Sequence, residues 1–115
     1  MTQGPIRSMA ILKPLEGKEE ATINFLREFY TMMSRKEYSR DTLFRDRKQA
    51  GLLVHIRLWL SPEARDAAQQ DPDVHRYWIN LGEVAVITTI YEDLDEVFRN
   101  YESPLGAALE ADGKE

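Results

Sequence analysis

The run Leu52 to Leu60 (LLVHIRLWL) constrains the fold more than any other stretch. It is the longest strongly apolar segment, interrupted only by His55 and Arg57, and it falls far short of the roughly 20 residues that a membrane span requires. A short run apolar on both sides reads as a strand in the middle of a sheet. Period-2 geometry sets Val54, Ile56, Leu58 and Leu60 on one face and Leu53, His55, Arg57 and Trp59 on the other. The second face carries all the chemistry of the segment.

Around this strand the hydrophobic period changes in a definite order. Ile6 to Leu12 is a short apolar strand, stopped by Pro14, which cannot donate to a continuing ladder. From Lys18 to about Lys36 the period lengthens: Thr22, Phe25, Leu26, Phe29, Met32 and Met33 form one helical stripe. Glu19 and Glu20 at its start and Arg35 and Lys36 at its end suit the helix dipole. Tyr38 to Lys48 is dense in charge and reads as an edge strand, joined to the central run through Gln49-Ala50-Gly51. Ser61-Pro62-Glu63 then opens a second helix, and Asp71-Pro72-Asp73 repeats the start signal, so this helix should break near Gln70 and restart to about Leu81. Val84 to Tyr91 is β-branched and forms a fourth strand. Asp93 could cap a short terminal helix with Leu94, Val97, Phe98 and Tyr101 on one side, and the tail from Glu110 is expected to be disordered.

The order β-α-β-β-α-β is the ferredoxin-like arrangement of an α+β domain, with the first and third strands central and the second and fourth at the edges. The domain should span residues 1–92, followed by a short helix and flexible tail over 93–115. Both helices cover one sheet face. The fourth strand looks apolar on both sides, Val84, Val86 and Ile90 pointing one way and Ala85, Ile87 and Tyr91 the other. A monomer would expose more apolar surface than the few hundred Å² usual for one, so a homodimer packed sheet to sheet is expected.

Charge and composition narrow the function classes. With 15 Lys+Arg against 20 Asp+Glu the net charge is −5, which disfavours a general nucleic-acid binder. There is no cysteine for a disulfide, and no basic-then-apolar start typical of a signal peptide, so a cytoplasmic protein without a membrane or nucleic-acid partner is expected. No phosphate-binding glycine loop or nucleophile elbow occurs.

The stretch LLVHIRLWLSPEARDAAQQDP, Leu52 to Pro72, resembles the segment of antibiotic biosynthesis monooxygenase domains in which a strand ends in Trp, Ser-x-Glu-Ala opens a helix and an Asp-Pro turn follows. Trp59, Ser61, Glu63, Ala64, Asp71 and Pro72 carry the match, and the element order extends it over about Ile6 to Glu92. The resemblance implies a dimeric α+β barrel with a small-molecule cleft between helices and sheet in each protomer. It also implies a cleft position for Trp59 and for the residue four earlier, often Asn in phenol-oxidising members and here His55. A helix position that often carries a cleft aromatic in those members is here Arg65.

His55, Arg57 and Trp59 on one strand face could deprotonate a phenol or enol, stabilise its anion and stack on its ring. The plainer alternative pairs His55 and Arg57 with acids such as Asp41 or Asp46 across the hairpin. His75, one step from the stripe of Val74, Trp78 and Leu81, could reach the cleft or merely cover a helix boundary. Trp78 could line the pocket or belong to the core. His55 and His75 lack metal-ligand spacing, so no metal and no cofactor are expected. The leading reading is a cofactor-independent monooxygenase of an aromatic or polyketide-like substrate, with His55 and Arg57 catalytic and Trp59, His75 and Trp78 binding it. The alternatives are a non-catalytic ligand-binding or accessory dimer and, last, haem degradation with His75 on the iron.

Overall fold

The computed structural model describes residues 6–101. Its elements run β1 (Arg7–Pro14), α1 (Glu19–Arg35), β2 (Ser39–Arg45), β3 (Leu53–Trp59), α2 (Pro62–Gln69), α3 (Pro72–Leu81) and β4 (Ala85–Leu94). The strands form one antiparallel sheet in the order β2-β3-β1-β4, so β1 and β3 are central and β2 and β4 are edges, as expected. The α+β, ferredoxin-like reading holds. The second helix breaks where the repeated start signal lies: the Ser61 hydroxyl accepts from the Ala64 N–H at 2.9 Å, and the Asp71 carboxylate accepts from the Asp73 N–H at 2.8 Å.

That break is also tied to the far end of α1. Lys36 Nζ donates to Asp71 and Asp73, each at 2.8 Å, and the Tyr38 hydroxyl donates to Asp71 at 2.7 Å. Lys36 is held up at about 12 and Asp71 down at about 2, in each case chiefly by their mutual hydrogen bond. The chain leaves α1 through a Schellman turn: Tyr38 N–H bonds Met33 O and Glu37 N–H bonds Ser34 O, with Glu37 left-handed at φ 60.

The core lies between helices and sheet. Leu26, Phe29, Met32 and Met33 of α1 meet Leu12, Leu53 and Trp59 of the sheet and Ala68, Val74, Leu81 and Ala85. Thr22 is buried with them, its hydroxyl donating to Lys18 O and Val84 O. Phe25 and Tyr77 are only partly buried and pack on each other, ring centroids 5.4 Å apart.

Two expectations for the last strand are corrected. The alternation along β4 is not simple, because the register with β1 shifts between Ile11 and Leu12, leaving Thr88 as an extra residue whose hydroxyl donates to Ile11 O. The bulge puts Ile87 and Ile90 on the helix side, level with Leu12 and Ala10, and Val86 and Tyr91 on the open face, level with Lys13 and Met9. Nor does Asp93 cap a helix. β4 runs on to Leu94, which pairs with Arg7, while the Asp93 carboxylate is taken by Arg65 of α2. Residues 95–101 form no helix, and Val97 and Phe98 stand 89% and 83% exposed, so no buried stripe forms within the protomer. The tail from Glu110 lies outside the described residues. Among the described residues no helix is long and apolar enough to cross a membrane.

Candidate functional site

Pairing parity builds the site. Directly paired residues share a sheet face, so Ser8, Arg57 and Asp41 form one rank beneath the helices, and Ala10, His55 and Leu43 the next. The central strand β1 sets the small side chains of Ser8 and Ala10 beside the large ones of β3, with Met9 between them also at the lining. The space above them is a cleft of about 290 Å³, roofed by Arg65, Ala68 and Gln69 of α2 and by Val74, His75 and Trp78 of α3, with Ile90 and Glu92 of β4 along its side. At about 30 Å³ per water it has room for roughly ten waters, or one small ring system.

All five residues singled out from the sequence, His55, Arg57, Trp59, His75 and Trp78, line this one cleft. Arg57 is 1% exposed, and its guanidinium clasps Asp41 side-on, Nε to Oδ1 at 2.7 Å and Nη2 to Oδ2 at 3.2 Å. The Ser39 hydroxyl donates to the same carboxylate. The cross-hairpin pairing weighed as the plainer alternative is therefore present for Arg57, inside the protein rather than on its surface, but not for His55, whose partner is Tyr30. The guanidinium carbon sits 4.9 Å from the Phe29 ring centre, 5.4 Å from that of Trp59 and 5.5 Å from that of Trp78, an aromatic surround suited to a cation. Nη1 has no acceptor among the described residues and is not sealed from solvent.

His55 is 3% exposed, and its Nδ1 lies 2.5 Å from the Tyr30 hydroxyl. Burial first, and the Arg57 charge second, pull its pKa down to about 3, so the ring is neutral near pH 7 as desolvation argues. Burial and the Asp41 charge raise the Tyr30 phenol, which stays protonated. Trp59 Nε1 donates to the Ser8 hydroxyl at 3.0 Å, and Ser8 donates onward to Glu92 O at 2.9 Å, joining the cleft wall to the irregular end of β4. At the rim, His75 Nε2 meets Gln69 O at 2.5 Å across the helix break. Arg65 is held by Asp93.

Sequence reasoning passed over Tyr30, Ser8 and Glu92. Tyr30 follows Leu26 by four residues and so flanks the buried stripe of α1, a spacing that could have brought it in. Ser8 could have been found as the small residue across from Arg57 once the strand register was known. Among the described residues no group of three or more His, Cys, Asp or Glu side chains could hold a metal ion.

No family model matches the chain, and no curated relative matches it. Solved structures do. A conserved protein of unknown function from Bacteroides thetaiotaomicron superposes with a TM-score of 0.70 at 16% identity, covering 83% of this chain and 100% of that one. SnoaB, a cofactor-independent oxygenase from Streptomyces nogalater, gives 0.66 at 14% identity over 82% of this chain and 97% of its own. A protein of Chloroflexus aurantiacus named as a candidate antibiotic biosynthesis monooxygenase gives 0.66 at 16% identity over 85% and 98%. At such identities the likeness is one of fold: this chain has the ferredoxin-like α+β fold that SnoaB and the Chloroflexus protein share.

Proposed function

We propose that the chain is a homodimer that binds a small aromatic or polyketide-like molecule in the cleft beneath the helices and oxidises it with dioxygen, without a cofactor. The observation that carries this reading is the convergence of His55, Arg57, Trp59, His75 and Trp78 on one apolar-walled cleft on the helix side of the sheet. The fold shared with SnoaB, a cofactor-independent oxygenase, supports the same reaction class. Trp59 and Trp78 would wall the ring, His75 would stand at the entrance, and Arg57 would favour an anionic ligand, although Asp41 offsets much of its charge. An imidazole whose proton affinity is pulled this low is a feeble independent base, so the site acts mainly by holding the ligand's anion in place. The electron-rich ring carbon then reacts with dioxygen: a ring CH₂ becomes C=O, one oxygen atom enters the carbonyl and the other leaves as water.

A second reading, a ligand-binding dimer without turnover, draws on the same two facts, the offset charge of Arg57 and the weak basicity of His55. Oxygen uptake over a panel of anthrone-like and phenolic compounds separates the two. The oxygenase reading requires uptake that His55→Ala abolishes without disturbing assembly and ligand affinity that Trp59→Ala weakens. Saturable binding with no uptake favours the binder, and neither binding nor uptake overturns both. The homodimer is supported by the open sheet face, where Phe44, Val86 and Tyr91 are each about half exposed. A second copy laid sheet to sheet would cover them, and light scattering that gave a monomer at micromolar concentration would refute it.

A further inference from the structure

The contact between Tyr30 and His55 decides what the cleft offers its ligand. His55 reaches the cleft from β3, while Tyr30 comes from α1 on the opposite side and also lines the shallow grooves between α1 and β2. Their only hydrogen-bond link is the 2.5 Å contact of the Tyr30 hydroxyl with His55 Nδ1. Among the described residues neither the hydroxyl nor His55 Nε2 has another partner, and Nε2 is not sealed from solvent, so it opens on the cleft.

One proton lies between the two groups. A phenol is the better donor and an imidazole nitrogen the better acceptor, so the proton stays on oxygen and Nδ1 accepts it. The reverse arrangement would leave the phenol proton without a protein acceptor. We propose that Tyr30 is a positioning residue that holds His55 in the tautomer protonated on Nε2, so that the cleft presents a hydrogen-bond donor, not a lone pair, to an acceptor oxygen of the ligand. This rests on the reading of the cleft as a ligand site and makes it more specific: the occupant is a planar molecule bearing a carbonyl or phenolate oxygen, placed at Nε2 with its ring along Trp59 and Trp78. The His55 of this site steadies oxygen charge rather than removing a proton.

The tautomer can be read without any ligand, from the ¹⁵N shifts and two-bond couplings of the His55 ring. The wild-type protein should show a bare Nδ1 and a protonated Nε2, and Tyr30→Phe should give a mixture of tautomers. Protonated Nδ1 in the wild type, or an unchanged pure Nε2–H tautomer in Tyr30→Phe, overturns the proposal. A binding arm uses 1,4-naphthoquinone and naphthalene, which differ in the acceptor oxygens, followed by quenching of Trp59 and Trp78. The quinone should bind the wild type about tenfold more tightly, and Tyr30→Phe should lose threefold or more of that preference. Equal preference in the two proteins overturns the role of Tyr30. If neither probe binds the wild type, the ligand reading of the cleft fails, while the ring shifts still decide what Tyr30 does.

Discussion

Acidification should destabilise this fold through His55 well above the pH at which its carboxylates titrate. In the unfolded chain the imidazole has its ordinary value of 6.5; in the folded protein, burial and Arg57 lower it to about 3. Between those values the unfolded state binds a proton that the native state refuses, so stability is fully present above pH 6.5 and is lost as the pH falls toward 3. The slope approaches about 1.4 kcal/mol per pH unit, which makes the loss from pH 7 to pH 5 roughly 2 kcal/mol. Against the roughly 5–15 kcal/mol of a typical domain that is a large fraction. Asp71 and Asp73 are held below the usual carboxylate range by Lys36, so their contribution disappears only at lower pH. The assay is urea unfolding followed by tryptophan fluorescence at pH 7 and pH 5, with protein concentration fixed because a dimer would couple assembly to stability. His55→Gln removes the titrating ring, so its loss over the same interval should be smaller by the full amount. Equal losses in the two proteins, or a His55 ring that titrates near 6.5 by NMR, would refute the reasoning.

Three further outcomes follow from single contacts. Asp41→Ala strips the partner from a guanidinium that is almost completely buried and should cost about 3–5 kcal/mol in denaturant unfolding, whereas adding Arg57→Leu to it should recover much of the loss. Glu37→Gly relieves a left-handed residue at the end of α1 and should raise stability by roughly 0.5–1 kcal/mol, read as a higher urea midpoint at unchanged slope. Tyr91→Asp places a charge on the open sheet face and should shift a dimer to monomer in light scattering while leaving the cleft-facing tryptophan spectrum unaltered; an unchanged mass would move the interface elsewhere.

The fold was legible where period and punctuation agree. Each helix start after β3 combines an oxygen-bearing cap residue, a proline at the first position and an acid one step on, and both caps close as read. β4 shows where such reading stops. Thr88 and Thr89 suit a strand whichever side they face, so nothing local signals that one of them is an extra residue, and the bulge is set by the partner strand β1. The terminal helix failed for a related reason. Its apolar spacing was real, but Asp93 had a second partner in Arg65, and an added strand pair with Arg7 held the chain extended through Leu94. A short helix with no surface to pack on cannot compete with a ladder already in place.

The site was legible for a geometric reason. Strict alternation along β3 leaves no freedom: if Leu53 and Trp59 are core, then His55 and Arg57 must share their face, and the only question is what covers it. The run of apolar residues on the opposite face could not answer that, because both sides of β3 look fit for burial. What the sequence could not show was which of the cross-hairpin acids, Asp41 or Asp46, takes Arg57, and that His55 is met by Tyr30 instead of an acid. A buried cation needs a partner, and Asp41 supplies it from the directly paired position on β2, with Ser39 two residues earlier bonding the same carboxylate. A buried neutral imidazole needs a donor or acceptor for each nitrogen, and Tyr30 serves Nδ1 from another layer of the fold. Among the described residues Nε2 of His55 and Nη1 of Arg57 have no protein partner, and both belong to residues lining the same cleft. Side chains so nearly buried, with their inner polar atoms satisfied and their outer ones not satisfied by any described residue, are what the proposed ligand of the cleft would meet.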